Sequence, residues 1–208
     1  MVTVVLASDN RGKLAEFEAL LAPLGVTVRP QGAFAVPAAS EPYGTFLENA
    51  LAKARHAARL TGLPALADDS GLVVPALGGA PGVLSARYAG EPKSDARNND
   101  KLLAEMAALE GEARRAYFYA CLVFVVHGDD PTPFVAEGRW WGTIAEAPRG
   151  TNGFGYDPLF IDPESNQTAA ELTHDEKNRR SHRARAVARL VAAWPELFAA
   201  LPTVTVRS

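Results

Sequence analysis

Residues 117–126, a run of aromatic, β-branched and small apolar side chains, carry the strongest strand signal in the sequence. The run breaks at Gly128, Asp129, Asp130 and Pro131, and Phe134 to Ile144 returns as a hairpin partner. A long hairpin points to a mixed sheet rather than an all-parallel one. Upstream, Val2 to Ala7 is a short valine-rich run of the kind buried on both faces of a sheet. The polar stretch Ser8 to Gly12 follows it. Leu14, Phe17, Leu20, Leu21 and Leu24 then recur at helical spacing up to Gly25. Helices interleaved with early strands, followed by the hairpin, predict an α/β chain built on a mixed sheet.

Between these elements, Val26 to Val28 reads as a strand, and Pro30 to Gly44 as a long irregular connection. Thr45 and Glu48 have capping-box spacing, with Leu47, Leu51, Ala54 and Ala58 as the apolar stripe of a helix stopping at Gly62. Asp68, Asp69, Ser70 and Gly71 read as a polar turn between two short strands. Ser94 is placed to cap a helix carrying Leu102, Leu103 and Met106. The glycine-rich loop 150–157 leads to a strand at Leu159 to Ile161, and Ala184, Val187, Ala188 and Val191 mark a last helix capped by Ser181.

The chain's 208 residues fit a single domain spanning 1–208, and 48% apolar against 22% charged residues is a core-forming balance. A net charge of -3 argues against nucleic acid or an anionic membrane as partner. The lone Cys121 can form neither an internal disulfide nor a multi-cysteine metal site. With no secretion-type leader and no run of the ~18 apolar residues a membrane helix needs, a cytoplasmic location is expected.

Four segments have the residue types for chemistry. Ser8, Asp9, Asn10, Arg11, Gly12 and Lys13 lie between a buried strand and a helix start, where backbone donors and the helix dipole favour a phosphate. The same residues also serve as ordinary caps and turns. Asp68 and Asp69 offer oxygen ligands for a hard cation such as Mg²⁺, with Glu41 as an additional candidate. Alternation along a strand admits only one of the two aspartates, and the spacing does not say which. Phe154, Gly155, Tyr156 and Asp157 suit a stacked, hydrogen-bonded heterocycle, or equally a packed turn. Lys177, His182 and Arg183 belong to a basic cluster of which the last two open a helix.

Taken in order, Leu6 to Lys13, Phe46 to Ala54, Leu66 to Leu72, Gly78 to Arg87, Gly153 to Pro158 and Glu171 to Arg183 resemble the inosine triphosphate pyrophosphatase family, most closely its bacterial dITP/XTP branch. The resemblance implies an elongated two-lobed fold with a helix-flanked mixed sheet and an active site in the cleft between lobes. It also implies a homodimer and Mg²⁺-dependent hydrolysis of ITP, dITP or XTP to monophosphate and pyrophosphate, which clears deaminated purines from the nucleotide pool. By the same carry-over, Ser8, Asn10, Lys13 and Lys53 contact the triphosphate. Asp69 is the catalytic residue and, with Glu41, a metal ligand; Ser70 contacts substrate. Phe154, Gly155, Tyr156, Asp157, Lys177, His182 and Arg183 form the base pocket. The competing readings are a Maf-like pyrophosphatase for modified pyrimidine nucleotides, disfavoured by the aromatic loop and the Ser-His-Arg segment, and a nucleotide-binding sensor without hydrolysis.

Overall fold

The computed structural model describes residues 2–201. Its strands are β1 (Val2–Leu6), β2 (Val26–Pro30), β3 (Ala65–Val73), β4 (Arg115–Val125), β5 (Phe134–Ile144) and β6 (Phe160–Ile161). Its helices are α1 (Arg11–Leu21), α2 (Phe46–Thr61), α3 (Asp95–Glu105), α4 (His174–Arg180) and α5 (His182–Ala199). The strands make one sheet in the order β2-β1-β3-β4-β5-β6. β1 pairs in parallel with both β2 and β3, through Val4 with Val28 and Leu6 with Leu66, whereas β5 and β6 are antiparallel. The sheet is therefore mixed, as the early strands and long hairpin predict. Val4, Val5 and Leu6 are all buried, as befits a strand flanked on both sides and covered on both faces. No helix among the described residues is long and apolar enough to cross a membrane.

The chain divides into two compact units, one of residues 2–69, 121–136 and 186–201, the other of Ser70–Ala120 and Glu137–Arg185. In the first, α2 packs on β1. Thr45 caps α2 by accepting from Glu48 N at 3.2 Å, and its hydroxyl donates to the Glu48 carboxylate. The buried face of α2 matches the expected stripe only at Ala54 and Ala58. It consists of Asn49, Ala50, Lys53, Ala54, Ala57 and Ala58, while Leu47 is 41% exposed. A face of alanines lets the helix lie close to the sheet, and this orientation turns Lys53 inward with its polar head needing partners. The last helix is shifted similarly: Ala186, Val187, Leu190 and Trp194 are buried, whereas Ala188 is exposed.

The Asp-Asp-Ser-Gly run corrects the turn expected there. It lies inside β3, which runs unbroken from Ala65 to Val73. The place of Gly71 in that strand follows from packing in the second unit. A Cβ there would lie 2.3 Å from Ser85 Oγ and 2.7 Å from Gly82 O. Ser85 Oγ instead accepts from Leu72 N at 2.9 Å, holding the strand against the loop 82–87. Turn-forming residue types are here overruled by pairing and close approach.

The core of the second unit gathers Leu72, Val74, Leu102, Met106, Phe118, Trp140, Ile144, Phe160 and Leu172. Within it, the Asp162 carboxylate accepts from Trp140 Nε1 (3.0 Å), Ser165 N (3.1 Å), Ser165 Oγ (2.9 Å) and Arg180 Nη1 (2.8 Å). Burial pushes its pKa up, but these donors outweigh burial and hold it below the usual 3.8. A depressed folded pKa means stability that is present above the unfolded value and lost as pH falls through the folded one. Asp162→Ala is accordingly expected to lower unfolding free energy by about 3 kcal/mol near neutral pH, since it strands buried donors. Urea titrations should show the gap to wild type closing as pH drops below about 3.8. A gap independent of pH would remove the carboxylate's charge from the account.

Candidate functional site

In the first unit, the loop after β1 presents Asn10, whose Oδ1 accepts from Lys13 N at 3.0 Å and caps α1, and Ser8 Oγ accepts from Asn10 N at 3.2 Å. The helix start expected there is present. Asp9 is used otherwise: its two oxygens accept from Gly32 N (2.8 Å) and Gln31 Nε2 (3.0 Å), tying the loop to the end of β2. The Asp9 side chain is thus spent on holding the loop. Arg11 and Gly12 are exposed in the first turn of α1.

The pleat of β3 separates its two aspartates. Asp68, buried, pairs with Lys13 at 2.6 Å. Asp69 pairs with Lys53 at 2.9 Å. Lys53 Nζ also donates to Glu41 Oε1 (2.7 Å) and to the Asp68 carbonyl (3.0 Å), so three acceptors surround an ammonium on a residue only 9% exposed. Burial lowers the Lys53 pKa, but Asp69 and Glu41 overcome it and the net shift is upward. Asp69 is also raised, first by burial and then by the charges of Glu41 and Asp68, against the pull of Lys53. Both groups hold a proton more tightly than in water. Around this ammonium the two carboxylates, Glu41 and Asp69, carry one more negative charge than Lys53 neutralises. Among the described residues, no three His, Cys, Asp or Glu side chains converge on one point. Glu41 and Asp69 alone suit Mg²⁺, which takes one or two carboxylates and completes its shell with water and phosphate oxygens.

Sequence reasoning missed Asn49, the residue that brings Glu41 here. From the buried face of α2 its Oδ1 accepts from Tyr43 N (3.1 Å) and its Nδ2 donates to Tyr43 O (3.2 Å), fixing the loop that carries Glu41. Nothing in the pattern distinguishes such an asparagine from a solvated one.

In the second unit, Asp157 Oδ2 accepts from Lys177 Nζ (2.5 Å) and Phe154 N (2.8 Å), closing the 153–157 turn. Gly153, at φ 78°, is required: a Cβ would lie 2.0 Å from that same oxygen. Phe154 stands 50% exposed with the Lys177 ammonium 5.1 Å from its ring centroid, leaving an aromatic face for a flat ligand. Tyr156 differs from the expected pocket role. It is buried in the core and its hydroxyl donates to Ser85 O at 2.8 Å, so it supports the loop from behind. Ser181 Oγ accepts from Ala184 N at 3.1 Å, the N-cap predicted for α5. At that capped start His182 stacks on Phe118 (centroids 5.0 Å apart, planes at 17°), and Arg183 Nη2 donates to Ser70 Oγ at 3.2 Å.

The site residues thus fall into two groups: cations and carboxylates suited to a polyphosphate with its metal, and an aromatic, amide and guanidinium set suited to a heterocycle. Comparison with known proteins identifies the family. The model of the Ham1 family matches residues 4–193. A dITP/XTP pyrophosphatase of Ralstonia nicotianae is 62% identical over 195 residues, 92% of this chain and 96% of the relative. One of Aromatoleum aromaticum is 63% identical over 190 residues, 91% and 94% respectively. Among solved structures, a HAM1 protein from Coxiella burnetii superimposes with a TM-score of 0.90 at 48% identity, over 94% of this chain and 100% of that one. The Staphylococcus aureus Ham1 protein gives 0.84 at 38%, over 94% and 99%.

Proposed function

Because this chain belongs to the Ham1 family, we propose that it hydrolyses non-standard purine nucleoside triphosphates, ITP, dITP and XTP, to the monophosphate and pyrophosphate. The observation that carries the reading is close identity, over more than nine-tenths of the chain, to proteins named dITP/XTP pyrophosphatase. The side chains supply the means. Lys13 and Lys53 receive the phosphates, and their charge stabilises the departing pyrophosphate. Asp69 orients a water and takes its proton as the water oxygen bonds to the α-phosphorus and the bond from that phosphorus to the bridging oxygen breaks. Magnesium, held by Glu41 and Asp69 with phosphate oxygens, would offset charge on the triphosphate. Phe154 stacks the base. Lys177, His182 and Arg183 offer donors to the 6-oxo acceptor of hypoxanthine and xanthine, where adenine presents a donor instead. The same reading carries one catalytic domain acting as a cytoplasmic homodimer.

Incubation with ITP and Mg²⁺ should release pyrophosphate and IMP in equal amounts, with turnover abolished by EDTA and restored by excess Mg²⁺. Release of orthophosphate and IDP would point to attack at the γ-phosphorus and overturn the reading. Turnover of modified pyrimidine triphosphates above ITP would favour a Maf-like specificity.

A further inference from the structure

The loop proposed to hold the base is fixed by a helix that contributes nothing else to the site. From the first turn of α3, Asp95 Oδ2 accepts from Gly155 N at 2.7 Å; one turn on, Asn99 Nδ2 donates to Gly155 O at 3.0 Å. Residues i and i+4 lie on one helix face, so both polar groups of a single peptide residue are held from one rigid support. Gly155 lies between Phe154, the exposed ring, and Tyr156, the buried anchor, within a turn already closed by Asp157 and Lys177. The next-door Asn98, buried, keeps α3 itself in register: it accepts from Ala89 N at 2.8 Å and donates to Ser85 O and Ala86 O. Ser85 O is also the acceptor for Tyr156. The base-facing turn is thus tied to α3 at two consecutive residues, directly at Gly155 and through the 85–86 segment at Tyr156.

Building on the base pocket proposed above, we infer that Asp95 and Asn99 are positioning residues that set base selectivity by fixing the backbone between Phe154 and Asp157. Neither touches the base. Asp95 would otherwise be a first-turn acid favourable to the helix dipole, and Asn99 a partly buried helix residue; those roles bear on stability and not on selectivity. A stacking ring and an amide turn discriminate between purines only when held in place, and misplacement weakens the preferred substrate more than the poor one.

The test uses Asp95→Ala, Asn99→Ala and the near-isosteric Asn99→Asp, which removes the donor while keeping the shape. Steady-state kinetics on ITP and ATP should show KM for ITP raised about tenfold in each variant with kcat within about threefold, and a fall in the ITP-to-ATP ratio of kcat/KM. Hydrogen exchange of full-length protein, read by mass spectrometry, should accelerate across 153–157 while 96–105 of α3 stays protected. Equal losses on both substrates that follow a lowered Tm, or unchanged exchange in the loop, would overturn the inference. If wild type failed to turn over ITP, the hydrolase reading would fall, and the exchange measurement would still decide whether α3 fixes the loop.

Discussion

Asp69→Asn should lower kcat for ITP by about 10² to 10⁴-fold, the range set by loss of a positioned proton acceptor. The substitution keeps the shape of the side chain but removes both the basic oxygen and half of the carboxylate pair that faces the cation site. Lys53 keeps Glu41 and the Asp68 carbonyl as partners, so the fold should survive. Asp68→Asn is the comparison one residue away. Asp68 is buried against Lys13 on the other side of the pleat, so its loss should show mainly as reduced thermal stability and weaker triphosphate binding, with kcat falling less than tenfold. Pyrophosphate release and far-ultraviolet circular dichroism on both variants decide between the aspartates. A folded Asp68→Asn protein as inactive as Asp69→Asn would mean that the wrong carboxylate carries the chemistry.

Arg183→Met should lower kcat/KM for ITP strongly and leave the poor ATP rate nearly unchanged, so that their ratio falls by about 1.5 to 3 kcal/mol, the range of a charge-assisted hydrogen bond. Arg183 is buried at the start of α5 and already fixed by Ser70 Oγ, so its guanidinium is oriented before substrate arrives. Methionine fills comparable volume without the donors. Taking the ratio cancels any general loss of phosphate binding. If the arginine served phosphates instead, ITP and ATP would decline together. Ser70→Ala, which removes that one hydrogen bond without deleting the guanidinium, should lower the same ratio by a smaller factor.

Legibility from sequence tracked how local each determinant is. The helix caps at Asn10, Thr45, Ser94 and Ser181 follow from residue type and spacing within a few positions, and so does the pair of strands β4 and β5. The helix faces did not follow. Leu47 and Leu51 are the most apolar candidates on α2, yet alanines face the sheet because close approach there favours small side chains over large ones. The Asp-Asp-Ser-Gly run has every mark of a turn, yet it lies within a strand placed between β1 and β4, with Gly71 packed closely on residues 82–87. Within the candidate site, the aspartate pair and the basic cluster stood out by residue type and clustering, whereas Lys53 came only from the family resemblance. Asn49, Asp95 and Asn99 were not readable, since their work is done on backbone groups distant in sequence, and the pattern carries no mark of it. Asp9 and Tyr156 show the converse, chemically apt residues drawn into the scaffold by partners beyond their own segment.

The continuity of β3 also determines how the chain tolerates changes in length. On a strand, neighbouring side chains exchange faces at every residue, so the partners of Asp68 and Asp69 are assigned by parity. Deleting one residue between Ala65 and Asp68 would put Asp69 at the position that faces Lys13, and adding one would put Asp68 at the position that faces Lys53, so either change moves a carboxylate to the wrong face of the strand with net charge unaltered. A turn at this position would have absorbed the change by adjusting its path. The strand converts a one-residue shift into an inversion of the site.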